Sequence, residues 1–156
     1  MPVEKLRTFL DEHHVKYVTL KHSRAFTAQE IADHAHIPGR EMAKTVIVWL
    51  DQHMAMVVLP APDMINLDDL RAATGAHEVR LASEREFSAV FPNCEVGAMP
   101  PFGNLWDLPV FVDQRLREDE HIAFSAGSHT EVIRLAFADF ERLVRPGVLE
   151  FAEARA

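Results

Sequence analysis

The chain has 156 residues, 48% of them hydrophobic, one cysteine and a formal net charge of −8. That length and apolar content suit one domain with a substantial core, and a lone cysteine excludes an internal disulfide framework. Residues 1–78 carry 8 basic and 11 acidic side chains and residues 79–156 carry 8 and 13, an acidic balance that argues against tight non-specific binding to nucleic-acid phosphates. No apolar run approaches the roughly 20 residues of a membrane span. Met1 to Lys5 lack the basic-then-apolar pattern of a secretory signal, so a cytoplasmic protein is expected.

Val3, Leu6, Phe9 and Leu10 recur at helical spacing and predict an amphipathic helix over residues 2–13. Tyr17 to Leu20 reads as a short strand. Thr27-Ala28-Gln29-Glu30 fits a capping box and predicts a helix to about His34, before Pro38-Gly39 breaks the chain. Thr45 to Leu50 and Met54 to Leu59 are β-prone runs around a turn at Asp51-Gln52-His53, the pattern of a hairpin. Pro60 and Pro62 mark a loop. Asn66 can cap a short helix that stops near Gly75. Val79 to Leu81 is a further strand, and Ser83-Glu84-Arg85-Glu86 is a capping box for a helix ending before Pro92. Cys94-Glu95-Val96 is strand-like. Strands are expected again over Leu108–Val112, His121–Phe124 and Thr130–Leu135, then a helix over Ala138–Val144 that stops at Pro146-Gly147. Residues 1–147 thus read as one domain and 148–156 as a C-terminal tail that frays from Val148. Helices and strands mix without a strict βαβ rhythm, which predicts α/β with a mixed sheet.

The densest punctuation is Gly97-Ala98-Met99-Pro100-Pro101-Phe102-Gly103. No regular element tolerates that much glycine and proline. A stiff loop of this kind either joins two strands as a plain turn or holds N–H groups outward for a carbonyl oxygen or anion. Lys44, one of four lysines, opens the most apolar strand. It is either a snorkelling strand-end lysine or a cation placed to bind a carboxylate, a phosphate or a terminal hydroxyl. Gly127-Ser128-His129 suits a hairpin turn, and its adjacent Ser and His diverge too much for a nucleophile–base pair. Cys94 reads as a buried, inert thiol. The close histidine pairs, His13-His14 and His34-x-His36, lack the helical i, i+4 spacing of a zinc site, so no metal or cofactor is expected.

Three ordered blocks make the chain resemble the YbaK/ProX family of aminoacyl-tRNA deacylases, which are related to the insertion domain of bacterial prolyl-tRNA synthetases. They are Ala43-Lys44-Thr45-Val46-Ile47-Val48, the loop from Val96 to Gly103 with its following Leu108 to Asp113, and Ser125-Ala126-Gly127-Ser128-His129. Gly97 and Pro101 fall on the fixed positions of the family's Gly-x-x-x-Pro loop. The resemblance implies a compact mixed sheet, partly closed, with helices packed around it. It implies a trans-editing hydrolase that removes a mischarged amino acid from tRNA, with mischarged aminoacyl-tRNA as partner and room for a synthetase as another. It implies catalytic roles for Lys44, Gly97 and Pro101. Substrate contacts would fall to His22, Thr45, Ala98, Met99, Pro100, Phe102, Gly103, Gly127, Ser128 and His129, and Ser23, Phe26 and Thr27 would line the same cleft. A non-catalytic module that binds an aminoacyl-tRNA end or a synthetase is the alternative. Thr45 stands where alanine-specific members often carry Asn, and Met99-Pro100 is bulkier than the loop of cysteine-specific members, so the resemblance names no amino acid.

Overall fold

The computed structural model describes residues 3–22, 30, 32 and 37–154. The first helix, α1 (Glu4–Glu12), buries Leu6 and Leu10, one turn apart on one face. The chain then forms β1 (Tyr17–Lys21), β2 (Ala43–Leu50) and β3 (His53–Pro60). β2 and β3 pair antiparallel around Asp51-Gln52, with Asp51 left-handed at φ 55°. After β4 (Asp63–Ile65), α2 (Leu67–Thr74) starts where the Asn66 side chain accepts from the Asp69 N–H at 3.0 Å, and ends on Gly75 at φ 75°. Next come β5 (Val79–Leu81) and α3 (Glu84–Ser88), the latter opened by the Ser83/Glu86 capping box. A 3-10 turn over Gly103–Trp106 leads to β6 (Val110–Asp113), α4 (Gln114–Arg117), β7 (His121–Ser125) and β8 (Glu131–Ala136). Then α5 (Phe137–Val144), β9 (Gly147–Leu149) and β10 (Ala152–Ala154) close the described chain.

The architecture is mixed α/β, as the element pattern predicts. Pairing divides among a five-stranded sheet in the order β5-β2-β3-β6-β9, a three-stranded sheet β1-β8-β7 and a ribbon β10-β4. None of these closes on itself, so the expected partial closure is not seen. In the large sheet β2 pairs antiparallel with β3 and β5, while β3-β6 and β6-β9 are parallel. A parallel bridge between Met42 and Ala123 brings the start of β2 against β7 and so couples the two larger sheets.

Alternation along the strands builds two sides. Ala43, Ile47, Met56 and Val58 face the main core, where α1 and α5 meet the two sheets. Val46, Val48, Val57 and Leu59 face the opposite way, toward Leu70 of α2 and Phe151. The main core is centred on Phe102, whose ring lies 5.4 Å from Phe124, 5.6 Å from Phe140 and 6.1 Å from Phe9. Removing such a buried Phe costs about 3–5 kcal/mol.

Four local expectations need correction. Cys94–Val96 is not a strand: Glu95 donates one backbone bond to Gly127 O at 2.8 Å, and Val96 stands exposed before left-handed Gly97 (φ 83°). The strand after the loop starts at Val110 rather than Leu108, because the 3-10 turn and left-handed Asp107 (φ 57°) come first. Pro60 ends β3 instead of starting a loop, since it sits at the end of the ladder opposite Ala43, and β4 follows at once. The segment from Val148 does not fray, because Val148 pairs with Val112, Ala152 pairs with Ile65 and Phe151 is 1% exposed. The helix predicted over Thr27 to His34 lies largely outside the described residues.

Candidate active site

Register places Lys44. The Met42–Ala123 bridge is parallel and is backed by an Ala123 N–H to Glu41 O bond of 2.9 Å. Two residues further along both strands, Lys44 stands level with Ser125 and on the same face. Thr45 is turned the other way, toward the main-core side with Ala43 and Ile47. β7 then runs into Ala126-Gly127, where Gly127 is left-handed at φ 102°. A side chain at Gly127 would also collide with Val3, whose Cγ2 lies 2.9 Å from the place of a Cβ.

This turn is stitched to the Gly97 loop. Glu95 N–H donates to Gly127 O at 2.8 Å, and Gly127 N–H donates to Ala98 O at 2.9 Å. The His129 N–H donates to Glu95 Oε2 at 3.2 Å, and its ring Nε2 lies 2.7 Å from Val96 O. A carbonyl oxygen only accepts, so Nε2 carries the hydrogen. Within the loop, Ala98 N–H closes a turn onto Glu95 O at 3.0 Å. Pro100 and Pro101 have no N–H to offer. The N–H groups of Gly97, Met99, Phe102 and Gly103 are left without an acceptor among the described residues, and of these Phe102 and Gly103 belong to the core and the 3-10 turn. Met99 is nevertheless buried, and a buried N–H without an acceptor is rare enough to need an explanation.

The residues singled out in the sequence therefore divide. Gly97, Ala98, Met99, Gly127, Ser128 and His129 gather at the end of β7, while Lys44 is placed only by its register beside Ser125. His22 joins them through its N–H to Thr130 O at 2.9 Å. Pro100 and Pro101 are buried and stiffen the loop. Phe102 belongs to the aromatic core, and Gly103 is there for space, since a Cβ would lie 2.7 Å from Val110 Cγ2. The His129 ring is 5% exposed and turned to the protein's own carbonyl rather than to a cleft. Ser128 Oγ lies 3.3 Å from Thr130 Oγ1. Cys94 is half-buried, and burial pushes its thiol up to about 11, so it is protonated at neutral pH. Ser23, Phe26 and Thr27 lie outside the described residues.

A family model described as the aminoacyl-tRNA editing domain matches residues 22–143. The chain belongs to this family. Among curated relatives, this editing domain is 31% identical over 103 residues to the multifunctional Ser/Thr-tRNA deacylase ProXp-y of Escherichia coli K12, covering 65% of this chain and 60% of that protein. It is 30% identical over 102 residues to a proline–tRNA ligase of Shouchella clausii, covering 65% of this chain but 18% of the ligase. The chain thus spans under two thirds of the length of these relatives. Among solved structures, a protein described provisionally as a trans-editing enzyme for prolyl tRNA synthetase superposes with a TM-score of 0.82 at 19% identity, covering 96% of each chain. A hypothetical protein superposes with a TM-score of 0.86 at 20% identity, covering 96% of this editing domain and all of that chain.

Sequence reasoning missed Glu95 and the carbonyl of Val96. Glu95 lies two residues before the motif glycine and 34 residues from His129, and no spacing rule links them.

Proposed function

We propose that this editing domain hydrolyses the ester between a mischarged amino acid and the 3′ end of a tRNA, acting in trans. The observation that carries the reading is a proline-stiffened loop whose Gly97 and Met99 N–H groups point away from the bonded 127–129 turn and have no acceptor among the described residues. Water attacks the ester carbonyl, and negative charge develops on its oxygen. Two fixed N–H groups stabilise that charge without reorganisation. Collapse of the tetrahedral intermediate breaks the bond to the ribose oxygen, which takes up a proton, and frees the amino acid. Lys44, level with Ser125, holds the terminal adenosine or its phosphate. A water nucleophile fits the protonated Cys94 and the Ser128 hydroxyl turned to Thr130.

The relative of similar size is named for Ser- and Thr-tRNA, so these are the first substrates to try. Seryl-, threonyl-, alanyl- and cysteinyl-tRNA are incubated with the protein, and ester loss is followed against buffer. Hydrolysis of at least one above the buffer rate is expected. Binding without hydrolysis across the whole set would instead favour a non-catalytic module. A synthetase partner would offset the weak phosphate attraction of an acidic chain, so added prolyl-tRNA synthetase should raise kcat/KM.

A further inference from the structure

We propose that His129 is a positioning residue, which with the Gly127 N–H aims both oxyanion-binding groups of the Gly97 loop. The proposal rests on the deacylase reading above. It follows from peptide geometry. Every described peptide bond is trans, and in a planar trans peptide the C=O and N–H point in opposite directions. The Gly97 N–H shares its peptide unit with the Val96 C=O, which accepts from His129 Nε2 at 2.7 Å. The Met99 N–H shares its unit with the Ala98 C=O, which accepts from the Gly127 N–H at 2.9 Å. Both carbonyls are therefore pulled toward the 127–129 turn, and both N–H groups are turned away from it. The unit between them is fixed by its own bond, Ala98 N–H to Glu95 O. The three peptide units from Val96 to Met99 thus face alternate sides, and the two outward N–H groups have no acceptor among the described residues.

His129 is itself held. Its backbone N–H is bound by Glu95 Oε2 at 3.2 Å, and the same carboxylate oxygen lies 3.8 Å from Nε2. Its ring packs behind Gly97, with Cε1 3.7 Å from where a Cβ would stand. A buried ring that contacts the back of the loop acts through the loop and not on the substrate.

Two measurements test this. First, a long-range 1H–15N spectrum of the wild-type protein reads the tautomer of His129. The Nε2–H form is expected, and an Nδ1–H neutral ring would overturn the clamp whatever the activity. Second, His129→Ala and His129→Gln are compared with wild type on whichever of seryl-, threonyl-, alanyl- or cysteinyl-tRNA is hydrolysed fastest. Loss of aim should lower kcat about 10- to 100-fold with KM within about twofold. Gln, whose amide donates in place of Nε2–H, should recover most of the loss. A raised KM with unchanged kcat would mean that His129 touches substrate, and would overturn the positioning role. A wild-type protein inactive on all four tRNAs would count against the deacylase reading, and the tautomer would then decide the clamp alone.

Discussion

The carboxylate of Asp113 accepts three backbone hydrogen bonds, from Arg115 N–H at 2.9 Å, Phe151 N–H at 2.8 Å and Ala152 N–H at 2.7 Å. The Gly97 loop also bonds to its neighbours, yet among the described residues its Gly97 and Met99 N–H groups have no acceptor. Both regions lie in the blocks that resemble the family, and both are largely buried. Asp113 satisfies three donors, caps α4 and fastens the segment that leads into β10. The loop has its Val96 and Ala98 carbonyls fastened and its Gly97 and Met99 donors turned away from them. Buried polar groups are normally satisfied, so the buried Met99 N–H calls for an explanation that the three donors on Asp113 do not.

Substitutions can break this contrast. Lys44→Ala carries the largest expected effect, a fall in deacylation of about 10²-fold or more with the melting temperature nearly unchanged, read by ester release and thermal unfolding. Asp113→Ala should do the reverse. Three N–H groups lose their acceptor at about 1–3 kcal/mol each, so the melting temperature should drop by about 10 °C while the folded fraction keeps its activity in the cold. The two loop glycines separate the same way on a smaller scale. A Cβ at Gly97 meets nothing closer than 3.7 Å, but the backbone is at φ 83°, so Gly97→Ala should turn the peptide and cost about 10-fold in rate. Gly103→Ala would press on Val110 and should cost about 1–3 kcal/mol of stability with a smaller effect on rate.

Cys94→Ala should show the smallest effect, with no change in rate at neutral pH. Because burial raises the thiol in the folded state from 9.0 to about 11, the unfolded chain gives up its proton first. Wild-type stability should therefore decline as pH rises from about 9 toward about 11, and the decline should be shallower in the variant, as measured by unfolding at alkaline pH.

Much of the fold was legible because its signals are local. Asn66, the Ser83/Glu86 box and Gly75 mark helix ends with their own side chains or φ angles, and the apolar runs of β2 and β3 announce the hairpin. β4, β9 and β10 were not legible, since three-residue strands carry almost no periodicity and depend on partners far along the chain. Lys44, Gly97 and the Gly127 turn stood out through composition and resemblance. The roles within that set did not, because they rest on which peptide carbonyl is bonded from behind. His129 reads in sequence as a group offered to a cleft, whereas its Nε2 is bound to Val96 O.

The contrast is tested most directly by titrating 15N-labelled protein with a non-hydrolysable 3′-amide analogue of seryl-adenosine. The account predicts that the Gly97 and Met99 amide protons shift downfield as they bond the analogue's carbonyl, while those of Phe151 and Ala152, already held by Asp113, stay in place. Saturation by the analogue with Gly97 and Met99 unmoved would contradict it.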